Sequence, residues 1–167
     1  EEQHNIVQLG NILIGQGEYY NPTFLHQDGK SSVEEGYCTD VITDKSIKWL
    51  EQRDKEKPFI LFVHHKACHR NWLPPMKYLR EYEDVTFPLP DNFWDDYEGR
   101  QAAKEQQMNI ASNHDMDLIY DNKVYLPGDS SRLSSAYLAY ANRLDAESRQ
   151  TYWQFYDSLS RDFYRSK

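Results

Sequence analysis

Pro58 opens a run, Phe59-Ile60-Leu61-Phe62-Val63, that is apolar at every position. A strand with one wet face alternates apolar and polar residues, so an unbroken run bounded by turn signals predicts a strand buried on both faces, as in a parallel sheet covered by helices. The preceding residues fit that setting. From Cys38 to about Arg53 the spacing predicts a helix, capped by Thr39 or Thr43, with Cys38, Ile42, Ile47, Trp49 and Leu50 roughly on one side. The charged stretch from Gln52 to Lys57 reads as a solvated turn. Helix then buried strand is a unit of an α/β protein. In open parallel sheets ligands bind beyond the carboxyl ends of the strands, and the residues there are His64-His65-Lys66-Ala67-Cys68-His69-Arg70.

This cluster is out of keeping with the chain around it. Lys and Arg number 19 against 27 Asp and Glu, a net charge of −8, which argues against a general binder of nucleic acid or anionic membrane. Any anion bound here must be held by a local concentration of charge, and three of the six histidines fall between His64 and His69, beside Lys66 and Arg70. Lysine supplies a compact positive charge, arginine a planar fork for tetrahedral oxyanions, and histidine a proton near neutral pH. The set suits a sulfate or phosphate ester, whose oxyanion is held while the leaving oxygen is protonated.

Other readings compete. A zinc site could use two of the histidines, but alternation along an extended segment turns His64 and His65 to opposite sides, so only one of them could join His69. Cys68 beside His69 could act as a nucleophile, although adjacent side chains rarely face one another. The cluster could also be a polar loop capping a strand. Cys38 and Cys68 allow one disulfide or none, and neither has a metal-binding spacing.

The rest of the chain predicts little regular strand. Residues 1–36, with Gly10, Gly15, Gly17 and Asn21-Pro22, read as loops with one or two short strands. Residues 37–73 form the helix-strand unit carrying the site. Residues 74–167 read as a loop and helical excursion: Pro74-Pro75, Pro88, Pro90 and the acidic stretch from Asp91 to Arg100 lack strand patterning. Helices are expected near 101–116, 133–143 and 146–165, the last with Asp145 as N-cap, and a loop near 120–132. No segment reaches the 18 consecutive apolar residues of a membrane span. The final helix stops without a Gly or Pro signal, so the chain is expected to be an internal piece of a longer protein.

Two stretches carry a family likeness. Gly36-Tyr37-Cys38-Thr39-Asp40-Val41-Ile42-Thr43-Asp44-Lys45, followed by Pro58 to Arg70, resembles the central segment of type I sulfatases. In that segment a "GY-x-TD…TD-x-AI" helix leads into "PFFL…APH-x-P" within the alkaline-phosphatase-like fold. The stretches Gly15 to Pro22 and Pro90 to Arg100 resemble bacterial members acting on sulfated glycans, including N-acetylglucosamine-6-sulfatase-like ones. The resemblance implies an α/β piece of that fold, with a central parallel strand, flanking helices and a long loop and helical excursion. It implies that His69 contacts sulfate and protonates the leaving alkoxide. Lys66, His65 and Arg70 would hold sulfate or the adjoining sugar, and Trp72 would stack on a sugar face or pack. Cys68 stands where the family usually has Pro.

The resemblance further implies a sulfated carbohydrate as partner, calcium and a formylglycine as cofactors, and a periplasmic or secreted location. Neither Cys38 nor Cys68 lies in the "C-x-P-S-R" motif that yields formylglycine, and the calcium-binding aspartates are not found. Both cofactors, and the remainder of the sulfatase domain, are therefore expected from sequence outside this chain. Asp95-Asp96 belongs to the downstream loop and is expected to be structural. A phosphoesterase of the same superfamily and a non-catalytic sulfoglycan-binding module are the alternatives.

Overall fold

The computed structural model describes residues 10–109, 116–126 and 141–166. They fall into two compact units, Glu1–Leu73 with Leu138–Arg149, and Pro74–Tyr137 with Gln150–Lys167.

The first unit begins with an antiparallel meander of three short strands, β1 (Asn11–Leu13), β2 (Thr23–His26) and β3 (Ser31–Val33), in that spatial order. Register pairs Ile12 with Leu25 and Phe24 with Ser32. Strand alternation puts Phe24 inside and its neighbour Leu25 toward solvent. Asp28-Gly29 turns β2 into β3, with Gly29 at φ +79° and His26 N–H donating to the Lys30 carbonyl at 2.8 Å.

Helix α1 (Cys38–Gln52) packs Cys38 and Ile42, one turn apart, against Phe24, with Leu13 and Val41 alongside. The expected apolar stripe does not run the helix's length: Ile47 and Leu50 are exposed, and Trp49 instead meets the Phe59 ring edge-on at 5.4 Å. The N-cap is Tyr37, without a side-chain capping bond; Thr43 donates its hydroxyl to the Thr39 carbonyl inside the helix. Segment 141–149 is clasped to the meander by Arg143, which pairs with Glu18 at 2.9 Å and donates to Thr23 Oγ1 at 2.9 Å.

The run Phe59–Val63 departs from expectation. It carries no strand ladder, and Ile60 and Phe62 are 80% and 77% exposed. The physical reason is simple. A strand buried on both faces needs neighbours on each side, and among the described residues no strand lies beside this one.

The second unit is built on turns. A single 3₁₀ turn at Met76–Tyr78 is followed by turns to Val85, a tight turn at Pro90–Asp95 and a short helix α2 (Gln101–Glu105). The helix expected to Met116 thus ends at Glu105, and residues 106–109 are not helical. The segment 133–140 lies outside the described residues. Helix α3 (Ala146–Arg165) starts at the predicted cap: Asp145 Oδ1 accepts from the Ser148 N–H at 2.8 Å. Tyr152, Tyr156 and Ser160, spaced four apart, form its buried stripe. Ser160 Oγ donates to the Tyr156 carbonyl at 2.7 Å and accepts from the Tyr125 N–H at 3.2 Å. This ties the loop 121–125 to the helix.

Candidate active site

Residues 61–69 overlie β1 and α1 across a cleft of about 430 Å³ within the first unit. His64, His65, Lys66 and His69 all line it, with Lys45 and Ser46 from α1 and Asn11 from β1. Without a strand ladder the backbone imposes no strict alternation on this segment, and His64 and His65 both line the same cavity. No Asp or Glu is among its lining residues, although the chain carries −8. Lys45 is neutralised by Glu34 at 3.0 Å, which leaves the 64–69 segment as the cationic wall.

The turn itself is closed by His69 N–H donating to the Lys66 carbonyl at 2.8 Å. His69 Nδ1 lies 2.5 Å from the Arg70 carbonyl. A carbonyl only accepts, so Nδ1 carries the proton and the exposed ring's Nε2 remains available to a reacting group. Lys66 donates its ammonium to the Gln16 carbonyl at 3.1 Å and sits 4.6 Å from the centre of the Tyr19 ring. Burial holds its pKa below the usual lysine range, while Cys38 and Glu18 pull it back up. Tyr19, buried, donates its hydroxyl to the His69 carbonyl at 2.7 Å.

Arg70 and Trp72 do not line the cleft. The Trp72 indole N–H donates to the Cys68 carbonyl at 2.9 Å, bracing the turn. Both cysteines are free. Cys38 is fully buried, and burial pushes its thiol up to about 11 against the opposing pull of Lys66, so it is inert as a nucleophile. Among the described residues no group of three or more His, Cys, Asp or Glu side chains could hold a metal ion. Asp95 is engaged by the Arg100 guanidinium and the Tyr97 N–H. The described residues thus fit neither a calcium cage nor a formylglycine precursor. No described helix is long and apolar enough to cross a membrane.

Sequence reasoning found His64 to His69 because they are contiguous. It missed Gln16 and Tyr19 as their supports, which stand about fifty residues earlier and carry no local signal of that contact.

Comparison with known proteins gives a consistent picture. No family model matches the chain. It is 48% identical over 134 residues to an N-acetylglucosamine-6-O-sulfatase of Bacteroides thetaiotaomicron, covering 76% of this chain and 24% of that protein. It is 26% identical over 99 residues to the N-acetylglucosamine-6-sulfatases of Capra hircus and Bos taurus, covering 51% of this chain and 18% of each. The solved structure of BT4656 in complex with its substrate D-glucosamine-2-N,6-O-disulfate superposes with a TM-score of 0.77 at 40% identity, covering 96% of this chain and 33% of that one. The chain therefore spans a quarter or less of the curated relatives' length and a third of the solved chain.

Proposed function

Since this chain is homologous to N-acetylglucosamine-6-sulfatases over part of their length, we propose that the protein hydrolyses a sulfate ester on an amino-sugar glycan, with the 6-O-sulfate of N-acetylglucosamine as the first substrate to test. The observation that carries this reading is the cleft lined by His64, His65, Lys66 and His69 without a carboxylate, in a chain with that homology. The sulfate monoester is an anion with its charge spread over three oxygens, and Lys66, half-buried at the start of the His69 turn, supplies a counter-charge. Cleavage of the S–O bond leaves an alkoxide that needs a proton. With Nδ1–H fixed on the Arg70 carbonyl, the imidazolium Nε2–H of His69 is the donor. His65 faces the same cleft as a further sulfate or sugar contact.

Arg70, which does not line the cleft, is assigned to holding sulfate or the adjoining sugar on resemblance alone. Trp72 is assigned to bracing the turn, in addition to any sugar contact. Calcium and formylglycine are assigned to the protein on resemblance alone, with their ligands outside the described residues. A periplasmic or secreted location is proposed on the same ground, and cell fractionation tests it. The remaining parts of the sulfatase domain are needed for turnover.

The deciding experiment compares the full-length protein with its His69→Ala variant on N-acetylglucosamine-6-sulfate and the matching 6-phosphate. Sulfate-ester turnover is expected, falling by about 10²-fold in the variant. Full turnover by His69→Ala removes the role given to His69, and a preference for the phosphate ester assigns the protein to phosphoesterases instead.

A further inference from the structure

Tyr19 touches both Lys66 and the His69 backbone from a single position. Its backbone carbonyl accepts from the Cys38 N–H at 2.8 Å, at the first residue of α1. Its ring lies nearly parallel to Tyr37, with centres 5.9 Å apart, and it is 6% exposed. The side chain is therefore held by the helix start and by a neighbouring ring before it meets the cluster. From that fixed position the hydroxyl donates to the His69 carbonyl at 2.7 Å and the ring face lies 4.6 Å from the Lys66 ammonium. Two residues earlier in the same bend, Gly17 N–H donates to the Ile14 carbonyl at 3.0 Å, and the intervening Gln16 offers its carbonyl to the same ammonium at 3.1 Å.

We propose that Tyr19 is a positioning residue of the sulfate-ester site, setting the backbone of His69 through its hydroxyl and the ammonium of Lys66 through its ring. This rests on the functional reading above. The His69 ring is exposed and tied to the carbonyl of the next residue, so its aim follows the local backbone, and the Tyr19 hydroxyl holds that backbone from outside the turn at the His69 carbonyl. Catalytic groups lose rate steeply when displaced from productive geometry, whereas substrate affinity depends mainly on the charge still present. Burial raises the Tyr19 hydroxyl to about 12, so it remains a donor throughout the working pH range and takes no part in proton transfer itself.

Tyr19→Phe in the full-length protein keeps the ring over Lys66 and removes only the hydroxyl bond. The expected result is a kcat for N-acetylglucosamine-6-sulfate lowered about ten-fold with KM within about two-fold of wild type. Tyr152→Phe is the control. It removes a tyrosine hydroxyl bond to a backbone carbonyl, that of Pro74, away from the cleft, and should lower the melting temperature while leaving kcat unchanged. Tyr19→Leu also removes the ring, and is expected to raise KM and weaken competitive inhibition by inorganic sulfate several-fold. Wild-type kcat in Tyr19→Phe, or an equal loss in Tyr152→Phe, overturns the assignment while the functional reading stands. A wild-type protein that hydrolyses no sulfate ester overturns both.

Discussion

Two lysines, one half-buried and one buried, show how the surroundings of a side chain decide what it does. Lys66 keeps a route to the cleft and Glu18 nearby, whereas Lys123 is 6% exposed, with its ammonium donating to the Asp121 carbonyl at 3.2 Å and lying 5.7 Å from the Tyr156 ring centre. Burial pulls Lys123 from its ordinary 10.5 down to about 8, with Asp121 opposing. Between those values the unfolded chain binds more protons than the folded one, so stability rises with pH across that window and is lost as pH falls through 8. Relative to a Lys123→Met variant, wild type should gain roughly 3 kcal/mol between pH 8 and pH 10.5, read by guanidinium denaturation at several pH values. A pH-independent difference between the two would show that Lys123 is solvated in the folded state. At this scale the sequence was informative where chemistry is contiguous, as in His65, Lys66 and His69. It was silent on Tyr19 and Lys123, whose environments are made by distant residues.

Among the described residues the two long helices begin in different ways, and their sequences say so unequally. Helix α3 has the expected side-chain cap: Asp145 accepts from the Ser148 N–H and hydroxyl at 2.8 and 2.7 Å, and these bonds hold its carboxyl below the usual range. A carboxylate lowered in this way contributes stability above its unfolded pKa and loses it as pH falls through the folded one. Asp145→Ala should therefore lower the melting temperature near neutral pH, with Asp145→Asn intermediate, and the gap to wild type should narrow in acid. A gap that persists unchanged would mean that the cap does not depend on charge. Helix α1 starts instead from Gly36, at φ +122°, where an added Cβ would lie 3.3 Å from Val41 Cγ2. Asn21 brackets this bend, donating its N–H to the Gly36 carbonyl at 2.8 Å and accepting from the Gly36 N–H at 2.9 Å through its side chain. An L side chain strains such a backbone, so Gly36→Ala should destabilise by about 1–3 kcal/mol, measured by thermal or denaturant unfolding. Thr39 and Thr43 were credible caps by residue type, but the glycine bend fixes the start of α1 upstream of both.

At the level of the whole molecule, Phe59–Val63 links the chain to the length it does not cover. The run is apolar at every position, stands largely exposed, and belongs to a chain spanning a third of a solved relative that it matches at a TM-score of 0.77. In the full-length protein its amides are expected to exchange with deuterium slowly, whereas in the isolated 167-residue chain they should exchange rapidly. Equal, rapid exchange in both would show that the run is not a buried strand in either. By itself the sequence determined the helix α3 and its cap, most of α1, the breaks at glycine and proline, and the anion-seeking cluster, because each depends on residues close together in the chain. Only the tertiary structure decided that three short strands form a meander, that His64 and His65 share one cleft, and that Tyr19 supports Lys66 and His69. Those outcomes depend on pairings across many residues, and their energies come from burial and hydrogen bonds that exist only once the partners have met.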